Sequence, residues 1–231
     1  MRESTIVGAD TSTEVLVGVT EARIRAAALL RRLGHAFVRH DAPDRLFEEL
    51  VDAILPVVEQ LETGAKRDRS MANTGGPATF TEPAVDGGQL SHFPDCVVSG
   101  AANPMGVAID VRCEGDDAVA ETVLGAAFEG APGRAHGGVV AAIFDDVMGY
   151  VLSIHQVPAF TGRLAITYRA PTPIGAPLIF RARLDRREER KLHISATAHT
   201  LDGLELIAEA TATFIVIPIE HFMPGHTAVQ E

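Results

Sequence analysis

Four segments in the second half of the chain alternate apolar and polar residues, and this pattern constrains the possible fold most strongly. Successive side chains of a β-strand point to opposite faces, so such segments predict strands with one buried face and one polar face. An antiparallel sheet that packs one face against a helix meets this requirement. The predicted buried faces are Leu164, Ile166 and Tyr168; Leu178, Phe180, Ala182 and Leu184; Ile194, Ala196 and Ala198; and Ala208, Ala210, Ala212 and Phe214.

A long apolar segment, residues 138–155, precedes these strands and is predicted to be a buried helix. Two β-rich segments come before it, at residues 105–112 and 119–128. The order of two strands, one apolar helix and four strands predicts an α+β fold. In this fold a curved antiparallel sheet wraps round a central helix.

The N-terminal part has a different pattern, with two predicted amphipathic helices at residues 20–39 and 44–62. The first is rich in arginine and the second in acidic residues, which favours a helical hairpin over a basic helix lying on a membrane. We therefore expect four parts along the chain. They are a helical extension (residues 1–63), a linker or covering loop (64–95), the sheet domain (96–217) and a C-terminal tail (218–231).

Composition excludes several classes of function. The chain has 231 residues and a formal net charge of −11, which argues against a nucleic-acid partner because phosphates require a basic surface. Its two cysteines, Cys96 and Cys113, form no disulfide framework and no metal-ligand spacing, so neither a metal site nor a bound cofactor is expected. With no secretory leader and no uninterrupted apolar run of membrane-spanning length, we expect a cytoplasmic protein without a membrane partner.

The apolar helix opens with His136-Gly137-Gly138 and carries the acidic residue Asp145 two turns later. Glycines at a helix start leave backbone N–H groups accessible, and the helix dipole makes this end attractive to a developing oxyanion. A carboxylate on the same helix is a candidate base or nucleophile. The alternative is a buried helix that begins at a tight glycine turn, with both Asp145 and Asp146 solvated.

The spacing between Gly137 and Asp145 predicts an assembly. Eight residues of α-helix span about 12 Å, so one substrate carbonyl cannot contact both ends. If both groups act on the same bond, two copies of the helix must run past each other. The motif therefore predicts a homodimer, or a dimer of dimers, whose sites are shared between the copies.

This order of elements, together with several short motifs, resembles the hotdog-fold acyl-CoA thioesterases of the phenylacetate-pathway and mitochondrial type. The likeness covers about residues 96–217. The motifs that carry it are Asn103-Pro104-Met105-Gly106, His136-Gly137-Gly138 with Asp145 and Gly149, Thr161, and the segment from Tyr168 to Pro173.

The resemblance implies a role for each matching residue. Asp145 activates water or attacks the thioester, and the N–H of Gly137 or Gly138 polarises the carbonyl. His136 fixes the turn and contacts the carbonyl, while Thr161 assists the water or the carboxylate. Asn103 matches a pocket residue, although a turn before Pro104 explains it equally well. The spacing to Gly149 favours Asp145 over Asp146.

We therefore expect an enzyme that hydrolyses an acyl-CoA thioester, with CoA entering as part of the substrate. Arg163 and Arg169 belong to a basic stretch that suits CoA phosphates, although solvated strand edges explain each arginine as well. The alternative is a hotdog module that senses acyl-CoA without hydrolysing it, which a carboxylate near the thioester disfavours. A further fragment, His92-Phe93-Pro94, is similar to a hydroxyacyl dehydratase motif, but it precedes the sheet and we interpret it as coincidence.

Overall fold

The computed structural model describes residues 19–69, 80–91 and 93–218. Three long helices and nine strands are present in this part of the chain. The helices are α1 (Glu21–Arg39), α2 (Asp44–Glu62) and α3 (Gly137–Ile154). The strands are β1 (Gln89–Leu90), β2 (Asp110–Glu114), β3 (Asp117–Val123), β4 (Glu129–Ala131), β5 (Arg134–Ala135), β6 (Ala159–Tyr168), β7 (Pro177–Glu188), β8 (Lys191–Thr200) and β9 (Leu206–Val216).

Seven of the strands form one antiparallel sheet in the order β1-β2-β3-β7-β8-β9-β6. Helix α3 packs against this sheet and contributes the largest part of the core, including Phe144, which meets Phe180 edge to face. The alternating segments bury the predicted side chains on β7, β8 and β9, except that Leu184 is only half-buried. On the edge strand β6 the predicted buried face was wrong, since Leu164 and Ile166 are half-buried and Tyr168 is exposed. The predicted α+β hotdog fold is therefore confirmed, with β6 at one edge of the sheet.

Helix α3 has the length and composition of a membrane span. Half of its residues are buried inside the domain, however, and the core helix of a globular protein reaches the same hydropathy. Within the described residues, no group of three His, Cys, Asp or Glu side chains is arranged to hold a metal ion.

The segments before α3 differ from the expectation. Residues 105–109 form turns and irregular chain, so β2 begins only at Asp110, after Ala108 adopts a positive φ of 59°. Residues 126–128 form a 3₁₀ turn, and the short hairpin β4–β5 then leads into α3. Strands of two and three residues, such as those of this hairpin, are too short to show the alternation that identifies a strand in sequence.

Helix α1 is fixed to the sheet domain by two side chains. Arg31 donates hydrogen bonds to the carbonyls of Ala101 and Asn103, at 3.0 and 2.7 Å. The Nδ1 atom of His35 accepts from the N–H of Ala127 at 3.1 Å, and the His35 ring packs edge-on against Phe128. Burial lowers the pKa of His35, and the nearby Arg31 lowers it further. The helical extension is thus attached through α1.

The predicted helical hairpin is not formed. No residue of α2 is buried, and the two ion pairs described for α1 and α2 lie within each helix, Arg25–Glu21 and Arg45–Glu49. The two helices contact each other at their junction, where the rings of Phe37 and Phe47 meet edge to face. Complementary charge alone did not bring the two helices together. The expectations for residues 1–18, 219–231 and His92 lie outside the described residues.

Candidate active site

The first two backbone N–H groups of α3 differ, since one is hydrogen-bonded within the chain and the other is available to a ligand. His136 is the N-cap, and its Nδ1 accepts from the N–H of Gly138 at 3.0 Å. Among the described residues, the N–H of Gly137 has no hydrogen-bond acceptor. An Nδ1 that accepts leaves the proton of the neutral ring on Nε2, where it is able to donate. Of the two glycines, Gly137 is therefore the one whose N–H remains free.

A cleft of about 470 Å³ lies over this helix start. Its walls come from β4, β5, the beginning of α3 and the chain after β6. Tyr168, at the end of β6, donates its hydroxyl to the carbonyl of Gly137 at 2.6 Å and is partly buried, which raises its pKa. Opposite, a side-chain carbon at Gly130 would lie 2.8 Å from the His136 Cα, so this close approach requires glycine. These contacts hold His136 and Gly137 against the cleft.

The carboxylate of Asp145 lies further along α3 and meets the sheet edge. Thr161 on β6 donates its hydroxyl to Asp145 Oδ1 at 2.8 Å. The register of β6 against β9 shifts between Thr161 and Arg163, and a β-bulge of this kind changes the direction of neighbouring side chains. At Gly162, a side-chain carbon would lie 2.9 Å from Ile215. The bulge, together with Gly162, which has no side chain, thus positions Thr161 beside Asp145.

This contact predicts the behaviour of two Thr161 variants. Thr161→Val removes the hydroxyl and keeps the branched shape. If Asp145 is the base that the sequence resemblance implies, acyl-CoA hydrolysis is expected to fall about tenfold, the value of one exposed hydrogen bond to a charged group. Thr161→Ser keeps the hydroxyl and is expected to retain most of the rate. Steady-state release of free thiol measures both variants. Equal rates for the two variants would contradict a role for the hydroxyl.

The adjacent carboxylate, Asp146, faces the interior of the domain. Cys96 donates its thiol to Asp146 Oδ1 at 3.3 Å. Burial raises the pKa of Asp146, and the neighbouring Asp145 charge raises it further, while the hydrogen bond from Cys96 acts in the opposite direction. Burial also raises the pKa of Cys96. Asp146 therefore supports the loop before β2, and Asp145 is the carboxylate on the side of Thr161.

The raised pKa of Asp146 predicts a pH-dependent stability. The folded protein binds this proton more tightly than the unfolded chain does. The contribution of Asp146 to wild-type stability therefore decreases as the pH rises from the ordinary value of 3.8 through the raised pKa. Asp146→Asn lacks this ionisation. The melting temperature of the variant, relative to that of the wild type, should therefore rise between pH 4 and pH 7. Asp116→Asn, in an exposed turn, is the control. If the melting temperature of Asp146→Asn relative to the wild type stays constant or falls over this pH range, the carboxylate of Asp146 is not buried as described.

Asn103 organises a turn. Its amide Nδ2 donates to the carbonyl of Asp95 at 3.0 Å, and its Oδ1 accepts from the N–H of Met105 at 2.8 Å. Its own carbonyl accepts from Arg31. Of the two interpretations open in the sequence, these contacts favour turn formation over a place in the pocket. Asn103 joins α1 to the loop that covers Asp146.

The basic residues near the cleft have different partners. Arg169 lines the cleft and pairs with Glu209 at 2.8 Å, while Arg163 is exposed on the edge strand and has no ion-pair partner among the described residues. Arg134, which sequence analysis did not select, also lines the cleft and has no partner in the described part of the chain. Its position two residues before His136 was the signal available in the sequence. Most of the basic stretch on β7 is neutralised, since Arg181, Arg183 and Arg186 each pair with acidic residues.

The two halves of this arrangement are separated along one helix. A free N–H, a histidine and an arginine surround the cleft at the start of α3, and a hydrogen-bonded carboxylate follows eight residues later. Eight residues of helix span about 12 Å. The cleft can stabilise negative charge on an oxygen, and the carboxylate can accept a proton, but they cannot do so at one atom within one chain.

Comparison with known proteins finds similarity in part of the chain. Residues 132–207, from the hairpin before α3 into β9, match the model of the Thioesterase superfamily. Mouse "Acyl-coenzyme A thioesterase THEM4" is 38% identical over 92 residues, which cover 40% of each protein. Human "Acyl-coenzyme A thioesterase THEM5" is 30% identical over 100 residues, covering 43% of this chain and 40% of that protein. The chain thus matches about two fifths of the length of these curated relatives.

One solved structure extends the likeness to most of the chain. A protein described as "thioesterase superfamily protein" superposes with a TM-score of 0.71 and 21% identity, over 87% of this chain and 98% of its own. At this identity the match establishes the shared fold. Because residues 96–217 make up only about half of the chain, the shared fold also includes elements before the sheet domain.

Proposed function

We propose that this chain, whose residues 132–207 match the Thioesterase superfamily, hydrolyses an acyl-CoA thioester to a free acid and CoA. The observation that carries the proposal is the separation on α3 of an accessible N–H at Gly137 from a hydrogen-bonded carboxylate at Asp145. Hydrolysis of a thioester requires both an oxyanion donor and a base for water. Relatives named acyl-coenzyme A thioesterases are 38% identical over 92 residues and 30% identical over 100 residues of this chain.

In the proposed reaction, Asp145 takes a proton from water as the oxygen of that water attacks the thioester carbonyl carbon. Thr161 holds Oδ1 of the carboxylate, which leaves Oδ2 for the proton. Negative charge develops on the carbonyl oxygen, where the N–H of Gly137 and the Nε2–H of His136 donate. The C–S bond then breaks, and the departing thiolate of CoA receives the proton.

The proposed site is shared between two copies of the chain. The 12 Å along α3 requires that the cleft of one copy lies beside the Asp145 of another. Among the described strands, none pairs with the outer edge of β6, and β6 carries Thr161 and the half-exposed Phe160. Such an edge is suited to pairing with a second copy of the same strand. We infer a homodimer that joins through this edge.

We further propose that the CoA phosphates contact unpaired arginines near the cleft. Arg134 lies in the cleft wall and Arg163 is exposed on β6, and the described residues provide no carboxylate for either. Arg169, which already pairs with Glu209, is a weaker candidate. Guanidinium groups that have no partner are suited to bind phosphate oxygens.

The experiment that tests this function is a panel of acyl-CoA substrates, short, long and aromatic, with a thiol reagent that reports free CoA. The proposal predicts catalytic turnover of at least one class. Tight binding of an acyl-CoA with no release of CoA from any member would support the sensing module instead. If the protein neither binds any acyl-CoA nor releases CoA from it, both proposed functions are excluded.

A further inference from the structure

Helix α2 leaves most of its apolar face uncovered by the described part of the chain. Apolar residues recur every three or four positions and lie on one side of the helix. None is buried, and Val51, Leu55 and Leu61 are 59%, 52% and 72% exposed. The whole face consists of Leu46, Phe47, Leu50, Val51, Ile54, Leu55, Val57, Val58 and Leu61. An apolar stripe of this length on a helix normally packs against another surface.

Helix α1 has a second apolar face that points away from the sheet domain. Arg31 and His35 fix its inner face. Leu29 stands two residues from Arg31, and Phe37 two residues from His35, so each lies about 200° round the helix from the fixed residue. Leu29 and Phe37 are 63% and 56% exposed. The outer face of α1 is therefore apolar and uncovered in the described chain.

The charges on the two helices select the pairing. Helix α1 carries five arginines and one glutamate, whereas α2 carries six acidic residues and one arginine. Pairing α1 with α1, or α2 with α2, would bring like charges together at the rim of the contact. Pairing α1 with α2 surrounds the apolar contact with opposite charges. Of the three possible pairs, only the mixed one is electrostatically favourable.

Within one chain this mixed pair is not formed. The ring contact between Phe37 and Phe47 lies at the junction, while the middle of each apolar face remains exposed. In a twofold dimer, however, the same two faces of a second copy are available. We propose that α2 of each copy packs on the outer face of α1 of the other. Two such reciprocal contacts cover both faces, each between helices about 28 Å long.

Cross-linking between differently marked copies tests this exchange. One copy carries Leu29→Cys and a second, tagged copy carries Val51→Cys; both positions lie near the middle of their helices, so they meet whether the helices run parallel or antiparallel. A short bismaleimide is expected to join the two variants covalently after mixing. The wild type, which keeps Cys96 and Cys113, measures background reaction at the native thiols.

Each other outcome overturns the proposal. Covalent dimers from the Val51→Cys copy alone would indicate α2–α2 pairing. Linkage within one chain of the Leu29→Cys/Val51→Cys double variant, with no product from the mixture, would indicate a hairpin. No product in either sample would mean that something else covers both faces.

Sedimentation gives an independent measurement. Val51→Glu with Leu55→Glu places two charges on the uncovered face of α2 and is expected to raise the dimer dissociation constant at least tenfold. Gln60→Glu adds a charge to the polar face of the same helix and should leave that constant unchanged. Equal constants for the wild type and the double variant contradict the exchange. The thioesterase proposal rests on α3 and β6 and is unaffected by either result.

Discussion

Asp145→Asn is expected to reduce the turnover number for acyl-CoA hydrolysis by a factor of about 10² to 10⁴, the usual contribution of a positioned general base. The amide keeps the shape of the side chain and still accepts the hydrogen bond from Thr161, which lies at 2.8 Å from the wild-type carboxylate. It cannot take a proton from water. The Michaelis constant is expected to change little, because the carboxylate acts on water and not on the bound substrate.

Asp146→Asn is the matched control for this loss. It removes the adjacent carboxylate, which accepts from Cys96 inside the domain, and is expected to keep most of the activity. Thiol release and the melting temperature are measured for both variants. If Asp145→Asn stays active and Asp146→Asn does not, the catalytic carboxylate has been assigned to the wrong neighbour.

Gly137→Pro is expected to reduce the turnover number by a factor of about 10² to 10³, the cost of losing one oxyanion donor. Proline lacks the N–H, yet it is well tolerated at the first position of a helix. The preceding residue, His136, has φ −65° and ψ 131°, a conformation that is compatible with a following proline. The substitution therefore removes the donor without breaking α3.

Gly137→Ala separates this chemical effect from a steric one. Alanine and proline both add a Cβ, which would lie 3.3 Å from the Tyr168 hydroxyl, but alanine keeps the N–H. We expect Gly137→Ala to retain most of the rate. An alanine variant as slow as the proline variant would show that crowding at Tyr168, rather than loss of the donor, causes the defect.

Local sequence signals were sufficient for the elements that depend on neighbouring residues. Helix α1 follows its Thr20 cap, and the alternation in β7, β8 and β9 matches their burial, because both patterns are set by backbone geometry. The prediction that α1 and α2 form a hairpin within one chain was wrong. Opposite charges on two helices indicate that they are complementary, but not which copy provides the partner.

The details of the site depended on contacts between residues distant in sequence. The residues next to His136 in sequence do not indicate that its ring accepts a hydrogen bond from the N–H of Gly138. This contact depends on the side-chain conformation of His136, against which Gly130 packs closely. The contact of Tyr168 with Gly137 joins two elements 31 residues apart. The sequence supports Asp145 and Thr161 through resemblance, whereas the bulge that brings them together becomes visible only in the sheet register.

The measurement that tests the shared site most directly uses mixed dimers of two inactive copies. One copy carries Asp145→Asn and the other Gly137→Pro, and two different affinity tags allow the mixed dimer to be purified. One site then combines the intact cleft of the first copy with the intact Asp145 of the second, and the other site has lost both groups. We predict about half of the wild-type rate per dimer. Activity no greater than that of the two inactive parents would contradict a site shared between copies.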